Sequence, residues 1–186
     1  MTHPPCQYGL LRTLTTLQNL GPKEKFVSID EYGPFAIKIW GGRSLVPIGH
    51  PRTVPQYQRS KGRLIVTAAL ELSTNQITHL YSPAKNTAEM VKLLHRLVEV
   101  YADQECIYFS WDAASWHASK ALHASVQEIN MKGIGHPQVK LAPLPSCAQF
   151  LNVIESVFSG MAKAIIHNSD FASSEAAQVA HRQIHR

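Results

Sequence analysis

The length of 186 residues is enough for one domain with a sizeable core and too short for two. Hydrophobic residues make up 45 % and charged residues 17 %, as in ordinary globular proteins, and no run approaches the roughly 18 apolar residues of a membrane span. The net charge of +5 and the pI near 9.2 are compatible with a polyanionic partner. Cys6, Cys106 and Cys147 form no CxxC pair, which argues against a zinc knuckle or a disulfide framework and favours a reducing, intracellular compartment.

The first half of the chain predicts one short helix followed by four strands. An amphipathic stretch at residues 10–17 ends before Gly21 and Pro22, so residues 1–22 are expected to be a small helix and a linker. Apolar and alternating runs predict strands at 25–30, 35–40, 63–72 and 76–81, the last two joined as a hairpin. The glycines and prolines between residues 41 and 62 predict an irregular segment.

The second half alternates between helical and strand periodicity. An apolar stripe predicts a helix over 87–101, capped by Asn86 or Thr87, and a short apolar run predicts a buried strand over 106–112. A helix at 115–131, a strand at 139–142 and helices at 151–166 and 173–184 follow. This order indicates an α/β protein with a mixed sheet flanked by helices. A ribonuclease H-like fold has it, and so do some unrelated α/β folds.

Three acidic residues stand where the predicted elements would bring them together. Asp30 ends the first strand, Asp112 ends the strand after the first long helix, and Glu155 lies near the start of the helix predicted over 151–166. Converging carboxylates would supply the oxygen ligands that Mg²⁺ and Mn²⁺ prefer, for two ions about 4 Å apart. Taken singly, each acid has a structural interpretation, because Asp is common in turns and Glu complements a helix N-terminus.

The residues that flank the acids resemble three motifs of mariner-related insertion-sequence transposases. The segment FVSIDEYG (26–33) is similar to the first motif, an apolar strand that ends in Asp-Glu and is followed by Gly. The segment YFSWDAASWHASKAL (108–122) resembles the second motif, a strand followed by Asp, a short gap and His. The segment LAPLPSCAQFLNVIESVF (141–158) resembles the third motif, where Leu-Pro leads to Leu-Asn-x-Ile-Glu and an aromatic residue. The three occur in the family's order, and the likeness as a whole covers about residues 23–168.

This resemblance implies the catalytic DDE domain of a transposase, with a ribonuclease H-like fold over residues 23–186. Asp30, Asp112 and Glu155 would be the catalytic acids and would hold two Mg²⁺ or Mn²⁺ ions. The implied reaction cuts phosphodiesters at transposon ends and joins the freed 3′-hydroxyl to target DNA. The family carries helix-turn-helix modules before this domain, and we expect residues 1–22 to be too few to contain them.

Other positions of the motifs suggest supporting roles. His117 matches the family's His after the second acid and would contact a phosphate, support the site or simply take part in helix packing. Asn152 matches the Asn of the third motif, and we expect it to cap or steady the helix of Glu155. Glu31 should lie on the opposite face of the strand from Asp30 and is not a core ligand. The implied partners are DNA, as transposon ends and target, and a second copy in a homodimer; the expected location is the bacterial cytoplasm or nucleoid.

A basic segment accompanies the acids. No acidic residue occurs between residues 32 and 70, whereas the irregular segment and the strand after it contain Arg43, Arg52, Arg59, Lys61 and Arg63. Cations hold phosphates, so these residues and His117 are the candidate DNA contacts, although a solvated surface loop would look the same.

Two other functions are compatible with the sequence. A catalytically idle transposase descendant would bind only DNA or a partner protein, and intact acids at three motif positions argue against it. A resolvase or another nuclease on the same fold would cut branched or RNA-containing substrates, and the segment LNVIE makes this less favoured.

Overall fold

A computed structural model describes residues 4–43, 45–50, 53–112, 119–133 and 135–184. Its centre is one mixed sheet of five strands. The strands are β1 (Glu24–Ala36), β2 (Arg63–Glu71), β3 (Ile77–Tyr81), β4 (Cys106–Trp111) and β5 (Gln138–Leu141). They lie in the order β3-β2-β1-β4-β5. β2 is antiparallel to β1 and β3, whereas β4 is parallel to β1 and β5. The mixed sheet and its β2–β3 hairpin agree with the sequence predictions.

Helices cover both faces of this sheet. They are α1 (Pro4–Gln18), α2 (Thr87–Val100), α3 (Lys120–Met131), α4 (Ile154–Met161) and α5 (Ser174–Ile184). One core cluster joins the apolar stripes of α2 and α3 to alternate residues of β1, β4 and β5. A second cluster joins α4 and α5 to the opposite sheet face. Because side chains alternate along a strand, Ser28 and Asp30 lie on the α4 side and Ile29 on the α2 side.

The prediction for α2 is confirmed in its detail. Its five predicted stripe residues, Met90, Leu93, Leu94, Leu97 and Val98, are all buried. Asn86 caps the helix, and its side chain accepts a hydrogen bond from the backbone N–H of Glu89 at 3.0 Å. The strong periodicity and the capping residue therefore determined this element locally.

The separate strand predicted at residues 35–40 is wrong. β1 continues through Gly33 to Ala36, and Phe35 and Ala36 pair with β2 after an irregularity in the register. Gly33 has a φ of 100°, and a Cβ there would lie 2.5 Å from the carbonyl oxygen of Leu64. Glycine therefore lets the strand pass a bulge at a point where the sequence suggested a break.

The helix predicted over 151–166 is also shorter than expected. A 3₁₀ helix occupies Ser146–Leu151, α4 begins at Ile154, and a π-helical turn covers Ala162–Ile166. Asn152 interrupts the helix because its side chain turns into the protein, as described below. α3 likewise begins at Lys120, with Ser119 as its N-cap, and the part of its predicted range at 115–118 lies outside the described residues.

Candidate metal centre

The sheet places Asp30 and Asp112 beside each other. β1 and β4 are parallel neighbours, and Ile29 pairs with Trp111, so each acid directly follows one member of that pair. Asp30 is on the sheet face that α4 covers, and Asp112, one residue beyond Trp111, continues the alternation of β4 onto the same face. The negative charge of Asp112 acts on the carboxyl group of Asp30. These two acids are therefore neighbours, as expected, but the prediction that Asp30 ends the first strand is wrong, because β1 continues to Ala36.

Burial dominates the electrostatics of Asp30. Loss of water around the carboxyl raises the pKa of Asp30 from 3.8 to about 6, and the charges of Asp112 and Glu31 also raise it. A hydrogen bond from the backbone N–H of Glu31 and the positive charge of Lys85 oppose this rise. The folded chain therefore holds Asp30 where the ionised form is unfavourable, which is typical of functional carboxyl groups.

Two donors orient the Asp30 carboxyl group. The Glu31 N–H donates to Oδ1 at 2.7 Å, and the side-chain amide of Asn152 donates to Oδ2 at 3.2 Å. Asn152 in turn accepts a hydrogen bond of 2.8 Å from the Ser28 hydroxyl. Of the two roles expected for Asn152, capping α4 is wrong, because Val153 is the N-cap and makes no side-chain capping bond. Asn152 instead connects the third motif to the first acid.

Lys85 is a site residue that sequence reasoning missed. Its ammonium group donates to the backbone carbonyl of Glu31 at 2.8 Å and lies near enough to Asp30 to lower its pKa. Lys85 precedes α2, far from both acids in sequence. Only the packing of that connection against the middle of β1 brings Lys85 to the site, so no local pattern identified it.

Glu155 occupies the first turn of α4 and is exposed. Its backbone N–H donates to the carbonyl oxygen of Asn152 at 3.1 Å. Within the part of the chain that the structure describes, no three or more His, Cys, Asp or Glu side chains form a group that could hold a metal ion. The structure therefore places Asp30 near Asp112, but Glu155 does not form a metal-binding group with them. The set of three acidic ligands stays a prediction.

The predicted DNA contacts fall into three groups. Arg43 and Arg59 are exposed. Lys61 pairs with Asp170 at 3.1 Å and Arg63 donates to the Pro83 carbonyl at 3.0 Å, so these two also serve the fold. The remaining two candidates, Arg52 and His117, lie outside the described residues.

An open cavity of about 720 Å³ brings Lys163 and His167, which the sequence analysis did not select, beside the candidate Arg43. Gly42 and Asn168 complete its lining. The side-chain amide of Asn168 donates to the Arg43 carbonyl at 2.8 Å and so connects the basic segment to the chain after α4.

None of the described helices has the length and apolar composition needed to cross a membrane.

Comparison with known proteins adds a family and a fold. The sequence model of the family described as DDE superfamily endonuclease matches residues 25–178. Three similar solved structures are a Mos1 strand transfer complex (17 % identity, TM-score 0.68), a Mos1 mariner paired-end complex with Mn (14 %, 0.62) and the Mos1 mariner transposase catalytic domain (13 %, 0.62). At these identities the likeness establishes the fold, and the predicted ribonuclease H-like fold is confirmed.

The coverage of these structures differs. The matches include 96 %, 99 % and 99 % of this chain, against 52 %, 56 % and 82 % of the respective Mos1 chains. The chain thus spans about half the length of the Mos1 chains in the two complexes. Comparison with curated protein sequences gave no significant match.

Proposed function

We propose that this chain, which belongs to the DDE superfamily endonuclease family, is the catalytic core of a metal-dependent DNA transposase. The proposed reaction cuts phosphodiesters at transposon ends and joins the freed 3′-hydroxyl to target DNA. The observation that carries the proposal is the acid pair Asp30, in β1, and Asp112, directly after the parallel strand β4, on the sheet face covered by the helix that has Glu155 in its first turn. We place the catalytic domain at residues 23–186 and a terminal helix and linker at residues 1–22.

The residues present fit a divalent cation. Carboxylate oxygens are the ligands that Mg²⁺ and Mn²⁺ prefer. A bound cation would offset both the cost of burying the negative charge of Asp30 and its repulsion by the charge of Asp112. Asp30 keeps acceptor capacity for a metal, because a carboxylate has about four lone-pair sites and, among the residues that the structure describes, two donors bond to it. Asp30, Asp112 and Glu155 would hold two ions. When bound, such ions supply an activated water and stabilise charge on the leaving oxygen.

Residues of the chain would orient the Asp30 carboxyl group and bind the DNA phosphates. Glu31 and Asn152 fix both oxygens of Asp30, and Lys85 adds positive charge beside it. The exposed Arg43 and Arg59 would hold DNA phosphates, and Lys61 and Arg63 would contribute less because they already serve the fold. Arg52 and His117 remain proposed contacts on the motif alone.

The proposed partners are transposon-end and target DNA, with a second copy of the chain in a homodimer. The similar Mos1 structures are a strand transfer complex and a paired-end complex with Mn, which supports DNA and a divalent ion as partners here.

A catalytically idle descendant is the second candidate. The observation that favours it is the exposure of Glu155, together with the lack of a metal-binding group of three acids in the described residues. Like charges repel, however, so three carboxylates without cations have reason to stay apart. The two candidates therefore differ in what metal addition does, and this difference can be measured.

The test is nicking of a supercoiled plasmid in Mn²⁺ or Mg²⁺. We expect cleavage by the wild-type chain and a loss of about a thousandfold or more in each of Asp30→Asn, Asp112→Asn and Glu155→Gln. Asp103→Asn, which neutralises an exposed acid in the turn after α2, is the matched control and should cut normally. Wild-type activity in Glu155→Gln would remove Glu155 from the site. Metal binding without cleavage by the wild type would favour the idle descendant.

A further inference from the structure

We infer that Asn152 is a positioning residue that fixes Asp30 relative to the first turn of α4 and thereby sets the affinity of the acid site for divalent metal. The inference rests on the proposed function and assigns control of metal affinity to Asn152 and its partner Ser28. Neither residue would touch the metal or the DNA. Both would act through the Asp30 carboxyl group.

The contacts that support this role are buried. Ser28 is 2 % exposed and Asn152 is 3 % exposed, and their side chains meet at 2.8 Å. The other end of the Asn152 amide reaches Oδ2 of Asp30 at 3.2 Å. A buried polar network is favourable only when its members are satisfied, so this chain of contacts specifies one arrangement.

The chemistry of the three groups fixes the direction of each hydrogen bond. An ionised carboxylate only accepts, so the Asn152 nitrogen must face Asp30 and its oxygen must face Ser28. The Ser28 hydroxyl then has to donate to that oxygen. Without this donor the amide would have less reason to keep its nitrogen toward Asp30.

Asn152 also holds the segment that leads to Glu155. Its backbone carbonyl accepts the N–H of Glu155 at 3.1 Å. The side chain of Ile154, between them, is fully buried in the core cluster of α4 and α5. One residue therefore bonds to Asp30 through its side chain and to Glu155 through its main chain. A change at Asn152 should disturb the relative position of two proposed ligands.

The measured quantity is the dissociation constant for Mn²⁺, obtained from the electron paramagnetic resonance signal of free Mn²⁺ at a temperature where every variant is folded. We expect Asn152→Ala to weaken binding about tenfold or more, as the loss of a hydrogen-bond partner to a metal ligand commonly does. Ser28→Ala should weaken binding by a smaller factor and keeps the inference testable if Asn152→Ala does not fold. The double variant should bind no more weakly than Asn152→Ala, because Ser28 acts through Asn152.

Thr67→Val is the matched control for a structural effect. Thr67 is fully buried, shares a hydroxyl contact of 2.7 Å with Ser82, and pairs with Glu31 on the sheet face away from Asp30. Its loss should lower the melting temperature and leave Mn²⁺ affinity within about twofold of the wild type.

The outcomes separate the two claims. Weaker Mn²⁺ binding in both Asn152→Ala and Ser28→Ala, with normal binding in Thr67→Val, supports the inference. Normal affinity in either of the first two variants, or an equal loss in Thr67→Val, overturns it and leaves the proposed function standing. If the wild type itself does not bind Mn²⁺, the proposed function fails and the positioning role fails with it.

Discussion

Replacing Asp30 by Asn is expected to stabilise the metal-free protein near neutral pH and to have little effect at about pH 3. The pKa of Asp30 is raised in the folded chain from 3.8 to about 6, chiefly by burial. A carboxyl group with a raised pKa binds more protons in the folded than in the unfolded state. The stability that it contributes is present below the unfolded pKa and is lost as pH rises from about 4 to about 6. Asn does not ionise, so it escapes this loss.

The size of the effect follows from the shift. A rise from 3.8 to about 6 corresponds to roughly 3 kcal/mol at pH values above both pKa values. Because Asp30 is only partly buried, solvent screening reduces the expected gain to about 1–2 kcal/mol. Asn also presents an amide nitrogen toward either Glu31 or Asn152, both of which donate, and this lowers the gain further. In a chain of this size we expect a rise in melting temperature of roughly 2–8 °C.

The assay is urea unfolding of Asp30→Asn and wild type in chelator, at several pH values between about 3 and 8. The difference in the free energy of unfolding should grow across the window from about pH 4 to 6 and then level off. Asp103→Asn, at an exposed site, should show no comparable growth. Added Mn²⁺ should stabilise the wild type and not Asp30→Asn.

Two results would refute this reasoning. A difference that stays constant with pH would mean that the folded environment does not disfavour the charge of Asp30. A difference that shrinks as pH rises would mean that the charge is stabilised by its surroundings, with Lys85 and the Glu31 N–H outweighing burial.

Two further predictions concern residues near Asp30. Lys85→Gln removes the cation that lowers the pKa of Asp30, so this pKa should rise further in the variant. Carbon NMR of the Asp30 carboxyl group measures this pKa as pH is varied. An unchanged pKa would place Lys85 outside the site. Gly33→Ala puts a side chain at a φ of 100°, with its Cβ 2.5 Å from the carbonyl oxygen of Leu64. It should lower the free energy of unfolding, measured by calorimetry, by about 2–3 kcal/mol. Near-wild-type stability would show that β1 and β2 move apart at little cost.

The sequence predicted the elements whose cause is local. The stripe and cap of α2 and the apolar run of β4 depend on residues within one segment, and both were confirmed. The proximity of Asp30 and Asp112 also followed from the expectation that their strands are neighbours, although Asp30 lies within β1 and does not end it. The ribonuclease H-like fold came from the motifs, since the element order alone fits several folds.

The errors have tertiary causes. The bulge at Gly33 depends on the approach of the Leu64 carbonyl from β2, and the late start of α4 depends on Asn152 reaching Ser28 and Asp30. Neither partner is near in sequence, so local propensity gave a strand break in one case and a longer helix in the other. Lys85 was missed for the same reason.

The free-energy cost of ionising Asp30 in the folded chain helps to decide between an active site and an idle descendant. A chain that needs only to fold gains nothing from a half-buried acid whose charge is opposed by burial and by Asp112, and an uncharged residue would be more stable there. The polar contacts around Asp30 do not remove this cost, because the Asn152 and Glu31 donors and Lys85 leave its pKa at about 6. A divalent cation held by Asp30 and Asp112 would offset this cost, since its positive charge favours the ionised form of both carboxyl groups. The instability of the metal-free acid pair is therefore an argument for a metal site, and the pH dependence of Asp30→Asn measures its size.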